Sequence, residues 1–73
     1  MARPMGQRVR IIAGYGPFKG ATGTIVGIEK FSRSEPPYYR VRLDEPVRVD
    51  MPNFGGQWVK DDLWMGQCLR TIS

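Results

Sequence analysis

Apolar and polar residues alternate with a period of two along most of this chain, which is the pattern of half-buried β-strands. No stretch of ten residues keeps a helical period. The alternation predicts five strands, near residues 8–13, 22–31, 38–43, 47–51 and 67–72. Nine glycines and six prolines interrupt the chain at short intervals, which is typical of compact all-β domains. We therefore expect an all-β fold.

The same alternation predicts which side chains form the core, and a small domain needs its largest side chains for burial. The residues expected to point inwards are Val9, Ile11, Ala13, Tyr39, Val41, Leu43, Val47, Val49 and Met51. Trp58, Leu63 and Trp64 are also expected in the core, with a ligand pocket as the alternative interpretation. In the second strand, Ile25 and Ile28 fall on opposite faces. A bulge at Gly27 would reconcile them.

The third and fourth strands are predicted to form a hairpin, because pairing Leu43 with Val47 keeps both apolar sets on one face. The turn would then be residues 44–46. On the outer face, this register sets Arg42 directly opposite Arg48. Like charges in that position destabilise a sheet, so we expect an anion to neutralise the pair.

Outward-facing arginines are therefore the first candidate binding surface. We expect Arg40, Arg42 and Arg48 to face phosphate groups, together with Arg8 or Arg10. In the alternative interpretation, the long arginine stems extend into water and cover apolar surface.

The charge distribution favours an anionic partner. Residues 1–43 hold eight Lys and Arg against two Asp and Glu, whereas residues 44–73 hold three against five. The net charge is +4, and nucleic acid is the commonest partner of chains with such a basic segment.

The turn between the first two strands is a second candidate surface, because it carries Tyr15, Phe18 and Lys19 among glycines. Aromatic rings beside a cation are typical of sites that stack on unpaired bases. In the alternative interpretation, Phe18 folds back and closes the open end of the fold.

Near the end of the chain, residues 61–64 are predicted to form a single helical turn with an aspartate as its cap, and Cys68 is expected within the last strand. Five short strands with one short 3-10 turn before the last strand resemble the small SH3-like barrels. The whole chain, residues 1–73, is expected to form one such domain, with residues 1–6 as a flexible N-terminal tail.

The composition argues against an enzyme and against a metal site. The chain has no histidine, so it lacks an imidazole base and an imidazole ligand. One cysteine, Cys68, cannot form a zinc site or an internal disulfide. No apolar stretch reaches the roughly 18 residues that span a bilayer, and the chain starts without the apolar core of a signal peptide. We expect a non-catalytic cytoplasmic protein without a cofactor or a membrane partner.

The segment 9–28 resembles the KOW motif of ribosomal proteins and transcription elongation factors. Gly16, Lys19, Gly20 and Gly23 fit the Gly-x-x-Lys-Gly-x-x-Gly turn of that motif, and an apolar strand follows. The resemblance implies an SH3-like barrel that contacts RNA, or a protein partner, through the glycine turn and the neighbouring loops.

Two other families of small barrels resemble the chain in part. Asn53-Phe54 and the acidic-leucine element at residues 61–63 are similar to features of the small stromal subunit of photosystem I, a family that docks electron carriers. The plasmid-type dihydrofolate reductase is another small barrel, catalytic only as a tetramer. The chain departs from its apolar-Gln-apolar-Tyr active-site strand, for which residues 57–59 are a poor substitute.

The leading prediction is a non-catalytic module that binds RNA or DNA. Its predicted contact residues are Arg8, Arg10, Tyr15, Phe18, Lys19, Arg40, Arg42 and Arg48. A protein-interaction or assembly-scaffold module is the alternative, and an oligomeric small-barrel enzyme is a third hypothesis. The pattern predicts neither the oligomeric state nor the identity of the partner.

Overall fold

A computed structural model describes residues 3–14 and 16–72. It contains five strands, β1 (Arg8–Ile11), β2 (Thr22–Glu29), β3 (Tyr38–Met51), β4 (Gly55–Met65) and β5 (Leu69–Thr71). Two 3-10 turns, Gly16–Phe18 and Gly66–Cys68, precede β2 and β5. All pairings are antiparallel, and the strands form one sheet in the order β4-β3-β2-β1-β5. The predicted all-β fold of five strands, with a 3-10 turn before the last one, is confirmed.

The sheet curls around one hydrophobic core to which every strand contributes. The buried residues are Val9, Ile11, Phe18, Ile25, Tyr39, Val41, Leu43, Val49, Trp64 and Leu69. Val47, Val59 and Cys68 are partly buried against them. Three residues predicted to point inwards, Ala13, Met51 and Trp58, are exposed. Ala13 lies beyond the end of β1, Met51 lies at the far end of β3, and Trp58 is described with the candidate site below.

The predicted bulge in β2 is confirmed, since the register with β3 shifts between Ile25 and Gly27. Ile25 is fully buried, but Ile28 beyond the bulge remains 44% exposed. The bulge therefore ends the contribution of β2 to the core.

The predicted hairpin with a turn at residues 44–46 is wrong. β3 runs through this segment to Met51, and the hairpin turn to β4 lies at residues 52–54. The ladder between β3 and β4 is irregular between Arg42, opposite Asp61, and Val47, opposite Val59. Residues 43–46 thus form a bulge in the pairing of β3 with β4, although Leu43 still pairs with Gly23 on β2. Leu43 and Val47 point inwards on either side of this bulge, as they would on either side of a hairpin turn. The apolar pattern therefore fits both structures.

The predicted helical turn at residues 61–64 is also wrong, because these residues lie in β4. Trp64 pairs with Tyr39, and Leu63 pairs with Arg40. The 3-10 turn begins at Gly66 instead. Cys68 belongs to this turn rather than to the last strand, and it is partly buried.

The described part of the N-terminal segment is held against the sheet rather than extending from it as a tail. The backbone N–H of Arg3 donates to the Tyr39 hydroxyl at 3.0 Å. Its guanidinium donates to the carbonyl oxygens of Leu69 and Gly66, at 2.6 and 3.1 Å. Gly6 N–H donates to the Ile25 carbonyl at 2.8 Å. Met1 and Ala2 lie outside the described residues.

Candidate functional site

Arg8, one of the predicted phosphate contacts, is bound to a carboxylate of the chain itself. Its two terminal nitrogens lie 2.5 and 2.6 Å from the two oxygens of Asp44. The Thr22 hydroxyl donates to the same carboxylate at 2.6 Å. The hydrogen bonds from Arg8 and Thr22 hold the pKa of the Asp44 carboxyl at about 2, below its ordinary 3.8, and the bond to Asp44 raises the pKa of Arg8. Asp44 thus ties the bulge in β3 to β1 and β2.

Arg40 is also neutralised within the molecule. Its guanidinium lies 2.9 Å from a carboxylate oxygen of Glu29 and 2.9 Å from one of Asp61. Hydrogen bonds to Glu29 and Asp61 raise the pKa of Arg40. One arginine shared by two carboxylates leaves no positive excess at this point of the sheet. Arg8 and Arg40 are therefore not free cations, and a phosphate contact at either of them stays a prediction.

Arg42 and Arg48 do not lie opposite each other. In the sheet register, Arg42 lies opposite Thr24 on β2 and opposite Asp61 on β4. Arg48 pairs with Trp58 and makes a 3.3 Å contact with Asp50, in which both side chains are largely exposed. The predicted like-charge pair in β3 does not exist, because the turn that would have created it is a bulge.

A like-charge pair does occur elsewhere, between the first and last strands. Arg10 on β1 lies directly opposite Arg70 on β5, and both are exposed. Within residues 3–14 and 16–72, neither guanidinium makes an ion pair or a hydrogen bond with a carboxylate. On its other side Arg10 faces Thr22 of β2. Arg10 is among the contacts predicted from the sequence but Arg70 is not, because the register of two strands at opposite ends of the chain has no local signal.

Arg3 is a third cation beside β5, in addition to Arg10 and Arg70. The Arg3 guanidinium donates to Leu69, to Gly66, to the Thr71 hydroxyl at 2.9 Å and to the Gln7 side chain at 2.9 Å. All four acceptors are uncharged. Arg3 is thus fixed in place, and its charge adds to the positive field around this strand.

Phe18, in the turn before β2, is not exposed for the predicted stacking. Phe18 is 4% exposed and packs edge-on against Trp64, with ring centroids 5.2 Å apart. The alternative, in which Phe18 closes the fold, holds. Tyr15 lies outside the described residues. Lys19 is exposed, and the following N–H, that of Gly20, donates to the Ile11 carbonyl at 2.8 Å. Lys19 therefore lies next to the end of β1.

Trp58, a predicted core residue, is 65% exposed. It belongs to the ribbon, which we define as residues 47–51 of β3 and 55–59 of β4 with their connecting turn. Val47 and Val59 of the ribbon pack against the core. Because side chains alternate along a strand, Trp58 and Arg48 face away from the core. Phe54 in the turn is 75% exposed.

A cleft of about 410 Å³ lies between residues 20–22 and residues 44–47. Its charged lining residues are Asp44 and Glu45, so its polarity does not suit a phosphate. Among the described residues, no group of three or more acidic or cysteine side chains is arranged to hold a metal ion. The same part of the chain contains no helix of the length and apolarity that crossing a bilayer requires.

The chain matches no model of a known family, no curated protein and no solved structure. The resemblance to the KOW motif therefore stays a prediction from residues 9–28. The function of the chain is inferred from its own arrangement of charges and aromatic rings.

Proposed function

We propose that this protein is a non-catalytic module that binds nucleic acid, with the phosphates lying along the outer face of β1 and β5. The observation that carries the proposal is the pairing of Arg10 with Arg70, without a carboxylate partner for either among the described residues. Like charges directly opposite each other across a ladder cost some tenths of a kcal/mol. An anion between them converts this repulsion into two attractions.

The balance of charge on this face supports the proposal. Five arginines share the face with three carboxylates, so two positive charges remain in excess. The face consists of Arg8, Arg10, Arg40, Arg42 and Arg70 with Glu29, Asp44 and Asp61. The carboxylates are bound to Arg8 and Arg40, so Arg10, Arg42 and Arg70 are the arginines of this face without an ion pair among the described residues. Arg10 and Arg70 are the two of them that face each other directly.

The shape of this surface favours a polymeric anion over a small one. Arg10 and Arg70 lie on the open face of a sheet, and the cleft of about 410 Å³ has an acidic lining. A small anion on an open face remains hydrated and is weakly bound, whereas a chain of phosphates makes several contacts at once and releases counterions. Nucleic acid supplies such a chain.

The test is the salt dependence of binding to a labelled oligonucleotide, followed by fluorescence anisotropy. Removing one phosphate contact flattens the slope of log K against log[salt] by about one unit. We expect Arg10→Gln and Arg70→Gln each to do so. Arg33→Gln is the matched control, because Arg33 is an exposed arginine in the loop between β2 and β3. Equal slopes for all three variants and the unmodified protein contradict the proposed site.

One observation favours the alternative of a protein partner. Phe31 is 65% exposed and packs edge-on against Tyr38, whose cross-strand neighbour is Met65. A shallow cleft of about 220 Å³ opens beside Tyr38, Met65 and Pro36. Aromatic and methionine side chains are enriched in protein interfaces.

An NMR titration with oligonucleotides distinguishes the two functions. Chemical-shift changes at Arg10 and Arg70 support the nucleic-acid site. If no chemical shift changes at low salt, this result contradicts the nucleic-acid site and favours the protein partner.

A further inference from the structure

We infer that Trp58 stacks on an unpaired base, so that single-stranded nucleic acid is the ligand class of this protein. This inference rests on the proposed function and goes beyond it, because the arginine pair alone does not distinguish a single strand from a duplex. It is carried by the exposure of Trp58 and by the side chains that surround it.

The two tryptophans of the chain lie in opposite environments. Trp64 is 8% exposed and packs against Phe18, whereas Trp58 is 65% exposed. The ribbon already uses Val47, Val49 and Val59 for contacts with the core. Trp58 therefore contributes little to packing, although it is one of the largest apolar side chains available to a domain of this size.

The neighbours of Trp58 on the solvent face of the ribbon are charged. Arg48 lies directly opposite it on β3, and Lys60 lies two residues further along β4. Lys60 is exposed and makes no ion pair with any carboxylate in the described part of the chain. The 3.3 Å contact between Arg48 and Asp50 is largely exposed, and such pairs are weak. Two basic residues thus lie near Trp58 along the strands, one opposite it on β3 and one two positions after it on β4.

A glycine near the ring makes room for the side chain of Arg48. Gly56, which pairs with Asp50, lies two residues before Trp58. A Cβ at position 56 would overlap the guanidinium of Arg48. The Arg48 guanidinium therefore lies over this glycine, and Trp58 itself remains 65% exposed.

This combination fits a nucleotide better than an apolar protein surface. An exposed aromatic ring stacks on the face of any base, while adjacent cations contact the phosphates on either side of it. A protein partner that bound Trp58 as a hydrophobic anchor would gain from apolar neighbours on the same strand face. Val47, Val49 and Val59 are turned to the core, and the exposed apolar residues Met51 and Phe54 lie at the tip of the ribbon, where Met51 alternates onto the opposite strand face from Arg48 and Trp58. Bases within a duplex are already stacked and offer Trp58 no face.

The experiment uses the full chain, a single-stranded oligonucleotide, the duplex of the same sequence, and inorganic polyphosphate as a polyanion without bases. We expect the single strand to quench the emission of the exposed Trp58, and polyphosphate to leave it unchanged. Trp58→Leu removes the π-face and should weaken single-strand binding about 5- to 150-fold, the range that corresponds to loss of one stacked base. Trp58→Phe keeps a ring and should bind within about threefold of the unmodified protein.

Phe31→Leu is the matched control, because Phe31 is as exposed as Trp58 but lies outside the ribbon. Binding of all ligands by Trp58→Leu at unmodified strength overturns the inference and leaves the proposed function intact. An equal loss with Trp58→Phe and Trp58→Leu, or an equal loss for duplex and single strand, also overturns it. If the unmodified protein binds neither oligonucleotide nor polyphosphate at low salt, the proposed function itself fails. The urea midpoint of each variant checks that it is folded.

Discussion

At the scale of single residues, the arginines of this chain have three different roles that their residue type does not distinguish. Arg8 is bound by a carboxylate, Arg3 by neutral carbonyl and hydroxyl groups, and Arg10 faces another arginine. The sequence shows an outward position for Arg8 and Arg10 but not their partners. Asp44 lies 36 residues from Arg8, and the pairing depends on the bulge that brings Asp44 over β1.

The Asp44 carboxylate predicts a specific acid sensitivity. The pKa of Asp44 is about 2 in the folded chain, against an ordinary value of 3.8. A carboxylate with a lowered pKa stabilises the fold above its unfolded pKa, and the contribution is lost as the pH falls. We therefore expect part of the stability to disappear between about pH 4 and pH 2.

Urea midpoints measured across this range test the prediction. Asp44→Asn keeps the shape of the side chain and cannot titrate, so its stability should depend less on pH within this window. Its stability at pH 7 should be lower than that of the unmodified protein, because the charge-assisted bonds to Arg8 are lost. A pH dependence identical to that of the unmodified protein would contradict the assigned role of Asp44.

At the scale of elements, the pattern of apolar residues predicts which faces are buried better than it predicts where strands end. Tyr39, Val41 and Val49 are inward as predicted, but they belong to one strand of 14 residues and not to two. Acidic residues and a proline at 44–46 are typical of a turn. In this fold Asp44 instead bonds with Arg8 and Thr22, and Pro46 lies in the bulged part of the ladder.

The course of β4 differs from its prediction for a related reason. Asp61 and Asp62 favour a helical cap by residue type, yet Asp61 bonds with Arg40 across the sheet. The size of Trp58 favours burial, but the ribbon extends beyond the core and only its valines reach back to it. The ion pair of Asp61 and the exposure of Trp58 depend on contacts with distant parts of the chain. The neighbouring residues in the sequence do not reveal those contacts.

The ribbon should open without unfolding of the rest of the sheet. Beyond Val49, residues 50–57 are all exposed, and segments with few buried apolar contacts open locally. In native-state hydrogen exchange, we expect the hydrogen-bonded amides of this segment to exchange at rates that respond little to low concentrations of urea. The amides of Val9, Ile25 and Val41, which are buried, should exchange faster as urea is added. The same urea dependence in both groups would show that the ribbon unfolds only with the core.

At the scale of the whole molecule, the sequence predicts a basic protein but misplaces the centre of its positive charge. The basic excess of residues 1–43 is visible in the composition. Internal ion pairs then neutralise Arg8 and Arg40, and the pairing of β1 with β5 adds Arg70 from the acidic half of the chain. The candidate site therefore moves from β3 to the edge formed by the first and last strands.

This arrangement predicts that stability and binding respond in opposite directions to one substitution. Arg10→Glu replaces the like-charge pair by an attractive pair with Arg70, so the fold should gain about half a kcal/mol at low salt. The same change should weaken nucleic-acid binding by more than Arg10→Gln does, because it adds repulsion with phosphate.

Urea unfolding at two salt concentrations and anisotropy titrations on the same samples measure both effects. The stability gain should shrink at high salt, since exposed charges are screened. Arg33→Glu serves as the control, because Arg33 is exposed in the loop before β3. A loss of stability in Arg10→Glu, or unchanged binding, would contradict the roles given to the Arg10–Arg70 pair.

The turn at residues 52–54 also offers a place to lengthen or label the chain. Phe54 N–H donates to the Met51 carbonyl at 3.2 Å, and Asn53 has a positive φ of 71°. The valines that anchor the ribbon lie several residues away on either side. Because closing a longer loop costs only about 0.6 kcal/mol for each doubling of its length, a peptide epitope or a dye attachment site should be accepted there. A dye at this tip would sit close to Trp58 and could report occupancy without altering the arginines.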